Sequence, residues 1–333
     1  MQRINYIDAI RGFSIVLVVI GHVIGFSLEL YNNSINYIFN IFTMPIFFFI
    51  SGYFVHIKYR KTPSNFLKDK TIKLIIPTII FFTLFCTYID SNPFDSIQYG
   101  FGRYWFTIVL FEFLFIYYSI SMFLGYKLIQ NIGLIIISII GIMILAIHRG
   151  SGQIWDILCL ENVCKYFQFF TLGILCKKYN NQFIKLITKD SFRAIVIAIF
   201  IISLIIYFNE SIKNNYVLVY KAIHDIIIRY AALLIIFILF FHNRNIFDSN
   251  NKLNKGLIFI GKRTLDIYLL HYFFIPDLTF LKPYIEPTNM MVIQLAISLT
   301  ISSLIIGFCL FVSNIIRTSN ILGFYLFGAK IKN

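Results

Sequence analysis

The chain of 333 residues is 59% apolar and 13% charged, with 38 Phe, 21 Tyr and a mean hydropathy of +0.79. A soluble globular protein carries about 25% charged residues, so water cannot solvate this chain as one or two globular domains. The net charge of +14 does not point to nucleic acid, because no compact basic domain with a reading element accompanies it; the composition is that of a polytopic membrane protein.

In chain order, apolar stretches near the roughly 20 residues needed to cross the hydrocarbon core run over 10–30, 36–57, 73–90, 104–125, 129–148, 163–177, 192–208, 222–242, 257–275 and 291–316. They predict an all-α fold of about ten transmembrane helices, since the runs are continuous and lack the dyad alternation of an outer-membrane barrel. The weakest is 163–177, which is short and carries Lys165 and Gln168. The first is too long for a signal-peptide h-region and has no small-residue cleavage site. With the N-terminus in the cytoplasm, 22 of the 29 Lys and Arg fall on that side, loop by loop, as the positive-inside rule requires. Both termini are then cytoplasmic. Loops are short and nothing of soluble character follows the last helix, so 1–333 is expected to be one membrane-embedded domain. Cys86, Cys176 and Cys309 lie in or beside apolar stretches. Cys159 and Cys164 flank a short polar segment and pair only if it faces an oxidising compartment; unpaired thiols are the expectation. No metal-type CxxC spacing occurs and no metal is expected.

Ionisable groups within a span cost about 2.5–3.5 kcal/mol at mid-helix and are functional candidates by default. Of six histidines, His56, His148, His224 and His242 fall near helix ends, and only His22 and His271 sit well inside a pass. His22 follows Arg11 by eleven residues, three turns plus about 20°, so the two share a helix face about 16 Å apart along the axis. Arg11 is placed at the cytoplasmic interface and His22 near the midplane. A neutral imidazole at that depth is suited to general-base work; the competing reading is a His bonded to a neighbouring helix, with Arg11 snorkelling. Thr264, Tyr268 and His271 stand at i, i+4 and i+7, one face of a second helix. Asp266 is turned too far from His271 to orient its ring and is expected to pair with Lys262 or Arg263. The matched depth of His22 and His271 suggests a shared polar cavity.

Glu112 is the one carboxylate deep in a pass, with Trp105 seven residues before it on the same face. It either orients a catalytic His, binds a sugar hydroxyl, or hydrogen-bonds within the bundle. Asp225 and Arg229, at i and i+4, read as a helix pair. The loop 58–73 holds six Lys and Arg and one acid, Asp69. The positive-inside rule alone accounts for it; a landing site for a phosphorylated cytosolic donor is the functional alternative. Pro45 and Gly52 are expected to shape the second helix.

With these residues in view, the sequence resembles the acyltransferase-3 family of integral membrane acyltransferases. The blocks that carry the likeness are Tyr6-Ile-Asp-Ala-Ile-Arg-Gly-Phe followed by His22, Met44-Pro-Ile-Phe-Phe-Phe-Ile-Ser-Gly-Tyr-Phe54, Trp105-Phe106, Phe169-Phe-Thr-Leu-Gly173, and Gly261-Lys-Arg-Thr-Leu-Asp-Ile-Tyr-Leu-Leu-His271. They occur in order over residues 6 to 271. The resemblance implies ten transmembrane helices in a bacterial cytoplasmic membrane and transfer of an acyl group, most often acetyl, from acyl-CoA to hydroxyls of envelope carbohydrates. It makes Arg11 and His22 the essential pair. The family's cytoplasmic Arg-x-x-Arg aligns with Lys70-Thr-Ile-Lys73, where Lys keeps the charge and loses the bidentate fork suited to phosphate. Acyl-CoA would dock its phosphates on that basic surface with Arg11 holding one end. His22 would either deprotonate the acceptor hydroxyl or carry the acyl group itself, and Glu112, Tyr268, His271 and Trp105 would stand behind it or on the acceptor side. No counterpart of the soluble hydrolase-like domain of many relatives is expected, which would favour transfer within the bilayer. The alternative from another class is a carrier or exporter of lipid-linked sugar or polysaccharide; against it, no paired halves of the kind common in transporters are visible.

Overall fold

The computed structural model describes residues 4–30, 34–55, 63–97, 101–123, 127–147, 152–209, 218–248, 251–285 and 291–329. His56, Lys58, Arg60, Lys61, His148, Arg149 and the tail lysines Lys330 and Lys332 lie outside them. Within the described residues the chain is helical, with no strand. The helices used below are α1 (Asn5–His22), α2 (Ser34–Val55), α3 (Pro63–Lys70), α4 (Ile76–Tyr88), α5 (Trp105–Phe123), α6 (Lys127–Ile147), α7 (Leu160–Lys178), α8 (Asp190–Phe208), α9 (Leu218–His242), α10 (Lys252–Lys262), α11 (Thr264–Leu270), α12 (Met291–Ile316) and α13 (Asn320–Phe327).

Local chemistry sets several of the ends. α1 begins after the extended Ile4 and carries Asp8 in its first turn, where the helix dipole favours a carboxylate. The side chain of Asn251 caps α10 by accepting from the Leu253 N–H at 3.0 Å, and Ser319 caps α13 by accepting from the Leu322 N–H. α13 stops at Gly328, whose φ of +59° is the left-handed conformation glycine supplies at a helix C-terminus.

Among the described residues, eight helical stretches are long and apolar enough to cross a membrane. They match eight of the ten expected passes. The other two are helical but differ in kind: α7 spans 163–177 with Glu161, Lys177 and Lys178 at its ends, and 257–275 is interrupted, as described below. Side chains such as Ile136 and Ile140 on α6 and Ile201 and Ile205 on α8 are exposed, an apolar exterior for which lipid is the natural solvent. The molecule is an all-α, multi-pass membrane protein.

The chain packs as two compact units, each discontinuous in sequence. The first comprises Met1–Phe47 and Tyr179–Leu310, the second Phe48–Lys178 and Phe311–Asn333. In the first, α1 and α10 cross backbone on backbone. A Cβ on Gly12 would stand 2.1 Å from the Leu257 carbonyl oxygen, and one on Gly261 1.8 Å from that of Asp8, so only glycine permits the approach. Elsewhere in this unit Tyr37 stacks on Tyr207 with ring centroids 3.5 Å apart. Arg229, buried on α9, donates from Nε to Asp225 at 2.7 Å and from Nη1 to the Asn40 carbonyl at 2.9 Å. The pair expected from the i, i+4 spacing is formed.

The second unit repeats the device. A Cβ on Gly52 of α2 would lie 2.0 Å from the Phe170 carbonyl oxygen of α7, and one on Gly173 2.0 Å from that of Phe49. Around this crossing Phe48, Phe113, Phe167, Phe169 and Phe170 form a fully buried aromatic core. Buried hydroxyls find partners across helices, Ser138 with Thr171 at 3.0 Å and Thr78 with Thr107 at 2.6 Å, as hydroxyls in an apolar medium must. α13 folds back on α4, stacking Phe327 on Phe81.

Candidate active site

His22 is the last residue of α1, and the next turn, Val23–Ser27, opens into a π-helix, a local widening frequent at functional sites. The opposing segment breaks to meet it. α10 ends at Lys262 and α11 begins at Thr264. Thr264 Oγ1 donates to the Gly261 carbonyl at 2.7 Å, occupying an acceptor that the break releases. Arg263 Nη1 donates to Asp266 Oδ2 at 3.2 Å, the pairing foreseen for that carboxylate. After Leu270 the chain tightens into a 3-10 turn, His271–Phe274. The stretch 257–275, expected as one continuous pass, is therefore an interrupted helix. In membrane proteins irregular backbone is tolerated where protein or a cavity surrounds it.

The two imidazoles meet. His22 Nδ1 lies 2.8 Å from His271 Nε2, the rings nearly parallel at 8° with centroids 5.1 Å apart. His271 is completely buried and its Nδ1 is 3.0 Å from the Ile267 carbonyl oxygen. A carbonyl only accepts, so Nδ1 of His271 carries the proton and Nε2 of that neutral ring presents a lone pair. That lone pair accepts the Nδ1–H of His22. The carbonyl thus fixes both tautomers, and the lone pair of neutral His22 is assigned to Nε2. Tyr272 packs on His271 at 3.9 Å and faces His22 at 5.1 Å, and Phe26 closes the other flank at 5.3 Å. Tyr268, buried, sits 6.2 Å from His271.

Arg11 shares the unbroken α1 with His22, which preserves their common face, and pairs with Asp8 at 3.6 Å. The other sequence-predicted residues belong to the second unit. Lys70 ends α3, its ammonium 5.6 Å from the Phe66 ring. Lys73 lies in a second π-helical turn, Thr71–Ile75, and pairs with Asp69. On α5, Trp105 stacks against Tyr166 of α7 at 5.7 Å. Two turns further on, Glu112 has a buried Oε2 with no hydrogen-bond partner among the described residues, so that oxygen does not serve the intra-bundle hydrogen bond that was one of its readings. The ring oriented against His22 belongs to His271 and not to a carboxylate. All five cysteines are free thiols, Cys159 and Cys164 included.

Three residues were missed in the sequence. Phe26, at i+4 from His22, was open to regular helical spacing and was passed over, whereas Tyr272 follows His271 directly in the 3-10 turn, where that spacing does not apply. Trp155 joins Trp105 in a cavity of the second unit; its one signal was composition, for the chain has only two tryptophans.

In this multi-pass membrane protein an interrupted helix brings a histidine to the end of another helix. The chain matches the acyltransferase-3 family, described as an acyltransferase domain, over residues 4–329 and belongs to it. The match takes in both compact units. No curated protein and no solved structure matches the chain.

Proposed function

We propose that the protein is an O-acyltransferase of a bacterial cytoplasmic membrane, moving an acetyl group from cytosolic acetyl-CoA to a hydroxyl of an envelope carbohydrate, with both termini in the cytosol. The hydrogen-bonded series Ile267 carbonyl, His271, His22 is the observation that carries this reading. It presents one basic nitrogen, Nε2 of His22, in a defined orientation, which is what general-base catalysis of hydroxyl attack requires. As the acceptor oxygen attacks the thioester carbonyl carbon, Nε2 takes its proton. The new C–O bond forms, the C–S bond breaks, and the departing thiolate recovers the proton from His22. While His22 is protonated, His271 shares the positive charge through the Nδ1–H bond. Arg11 supplies positive charge on the same helix face, and Lys70 and Lys73 add the charge that CoA phosphates need on the second unit. Family membership supports transfer over the carrier alternative.

The test is transfer of radiolabelled acetyl from acetyl-CoA to glycan in membranes carrying His22→Ala. A loss of at least about 100-fold is expected, the lower end for a positioned general base. Undiminished transfer at normal protein abundance removes His22 from the reaction.

A further inference from the structure

The second unit holds a cavity of about 160 Å³ lined by Phe101, Trp105, Trp155, Asp156, Glu161 and Asn162, among others. It brings together the only two tryptophans of the chain. One wall is the start of α5, where Trp105 is backed by Tyr166. The other is the short helix Gln153–Ile157 and the turn into α7. Both walls come from loops with a single Arg each, Arg103 and Arg149, opposite the basic side by the charge alternation.

Two further observations bear on the cavity. Cys159, in its lining, adopts φ +48°, a left-handed conformation that a non-glycine residue keeps only where its surroundings impose it. Beneath, Glu112 keeps a buried Oε2 without a hydrogen bond. It lies close enough to act on Cys159: burial chiefly pushes that thiol's pKa up, with Glu112 and Asp156 adding and the Phe101 N–H opposing. In the lining itself Asp156 and Glu161 offer acceptors, while Asn162 both donates and accepts.

A ligand matching this chemistry has an apolar face for the indoles and a rim of O–H donors for the carboxylates. We propose that the cavity is a subsite for one neutral pyranose ring of the acceptor glycan, held between Trp105 and Trp155 with its hydroxyls donating to Asp156 and Glu161. An anionic sugar would meet like charge. A quaternary ammonium would suit the aromatic rings but leave Asn162 unused. The proposal rests on the acyltransferase reading for the purpose of the bound sugar; the binding itself stands independently.

Because both tryptophans line the cavity, their emission reports on it without a label. The purified full chain in detergent is titrated with methyl glucoside, methyl galactoside, methyl rhamnoside and N-acetylglucosamine, beside glucuronate and choline. At least one neutral sugar is expected to give a saturable emission change in the millimolar range, weakened about tenfold by Asp156→Asn and by the rim variant Glu161→Gln, each eluting as the parent does in size exclusion. The proposal is overturned if no neutral sugar changes the emission, if choline or glucuronate binds as tightly, or if both variants respond like the parent. Acetyl transfer is assayed on the same preparation. Sugar binding without any transfer upholds the subsite and defeats the acyltransferase reading; transfer without a change in emission does the reverse.

Discussion

The histidine pair of the first unit and the tryptophan cavity of the second solve the same difficulty in opposite ways. Each places polar groups in a chain that is mostly apolar. At the pair every ring nitrogen that faces the protein is committed: the Ile267 carbonyl holds His271, and His271 holds His22. The cavity is lined by Asp156 and Glu161, and in the same unit Glu112 keeps a buried oxygen with no hydrogen-bond partner among the described residues. An unsatisfied polar atom away from water costs about 1–3 kcal/mol. At the pair the protein meets that cost internally and fixes a geometry, whereas Ser27 Oγ in the turn after His22 and Glu112 Oε2 in the second unit are left to bear it.

The contrast can be broken most severely at the helix crossing that supports the pair. Gly261→Val drives a side chain into the Asp8 carbonyl; overpacking of this kind costs about 1–3 kcal/mol or more, and the expected outcome is a marked fall in folded protein on detergent size exclusion. His271→Ala leaves the backbone in place but removes the acceptor that sets the tautomer of His22. Transfer should fall by roughly 10- to 100-fold, less than the roughly 100- to 10,000-fold that a general base itself contributes, and the acid limb of the pH–rate profile should move. His271→Gln, whose Oε1 can accept from His22 Nδ1, should recover part of the rate; a merely structural histidine would scale the whole profile without moving it. The smallest effect sharpens the other side. Glu112→Gln replaces a carboxyl whose Oε2 has no hydrogen-bond partner among the described residues, so stability should hold or rise by no more than about 1 kcal/mol, read as an unchanged or slightly higher Tm. A drop in Tm of several degrees would show that Glu112 is held by the fold like His271.

Much of this was legible in the sequence. Uninterrupted apolar runs gave the helices, and i, i+4 spacing gave the Asp225–Arg229 pair. The matched depth of His22 and His271 suggested that the two belong together, and their rings are in contact. What hydropathy cannot see is a break that costs no apolar residues: Arg263 interrupts 257–275 while the running average stays high, and the 3-10 turn that aims His271 and Tyr272 leaves no periodic trace. Lys73 illustrates the same limit, since helical spacing from Lys70 says nothing of the π-helical turn between them. Trp155 was illegible because fifty residues separate it from Trp105, and only packing shows that they share a space. The glycines of the likeness to the acyltransferase-3 family acquire a physical reason here: Gly12, Gly52, Gly173 and Gly261 are the points where backbones touch.

His22 lies ten residues beyond Gly12, and His271 ten beyond Gly261. From the point where their backbones meet, both strands of chain travel the same count before the rings find each other, about 15 Å for an unbroken helix. The crossing acts as the pivot of a pair of dividers whose legs are cut to equal length. Inserting or deleting one residue in a single leg would turn its tip by about 100° and shorten or lengthen its reach, so the count of residues along each leg is constrained together with the buried side chains that pack it.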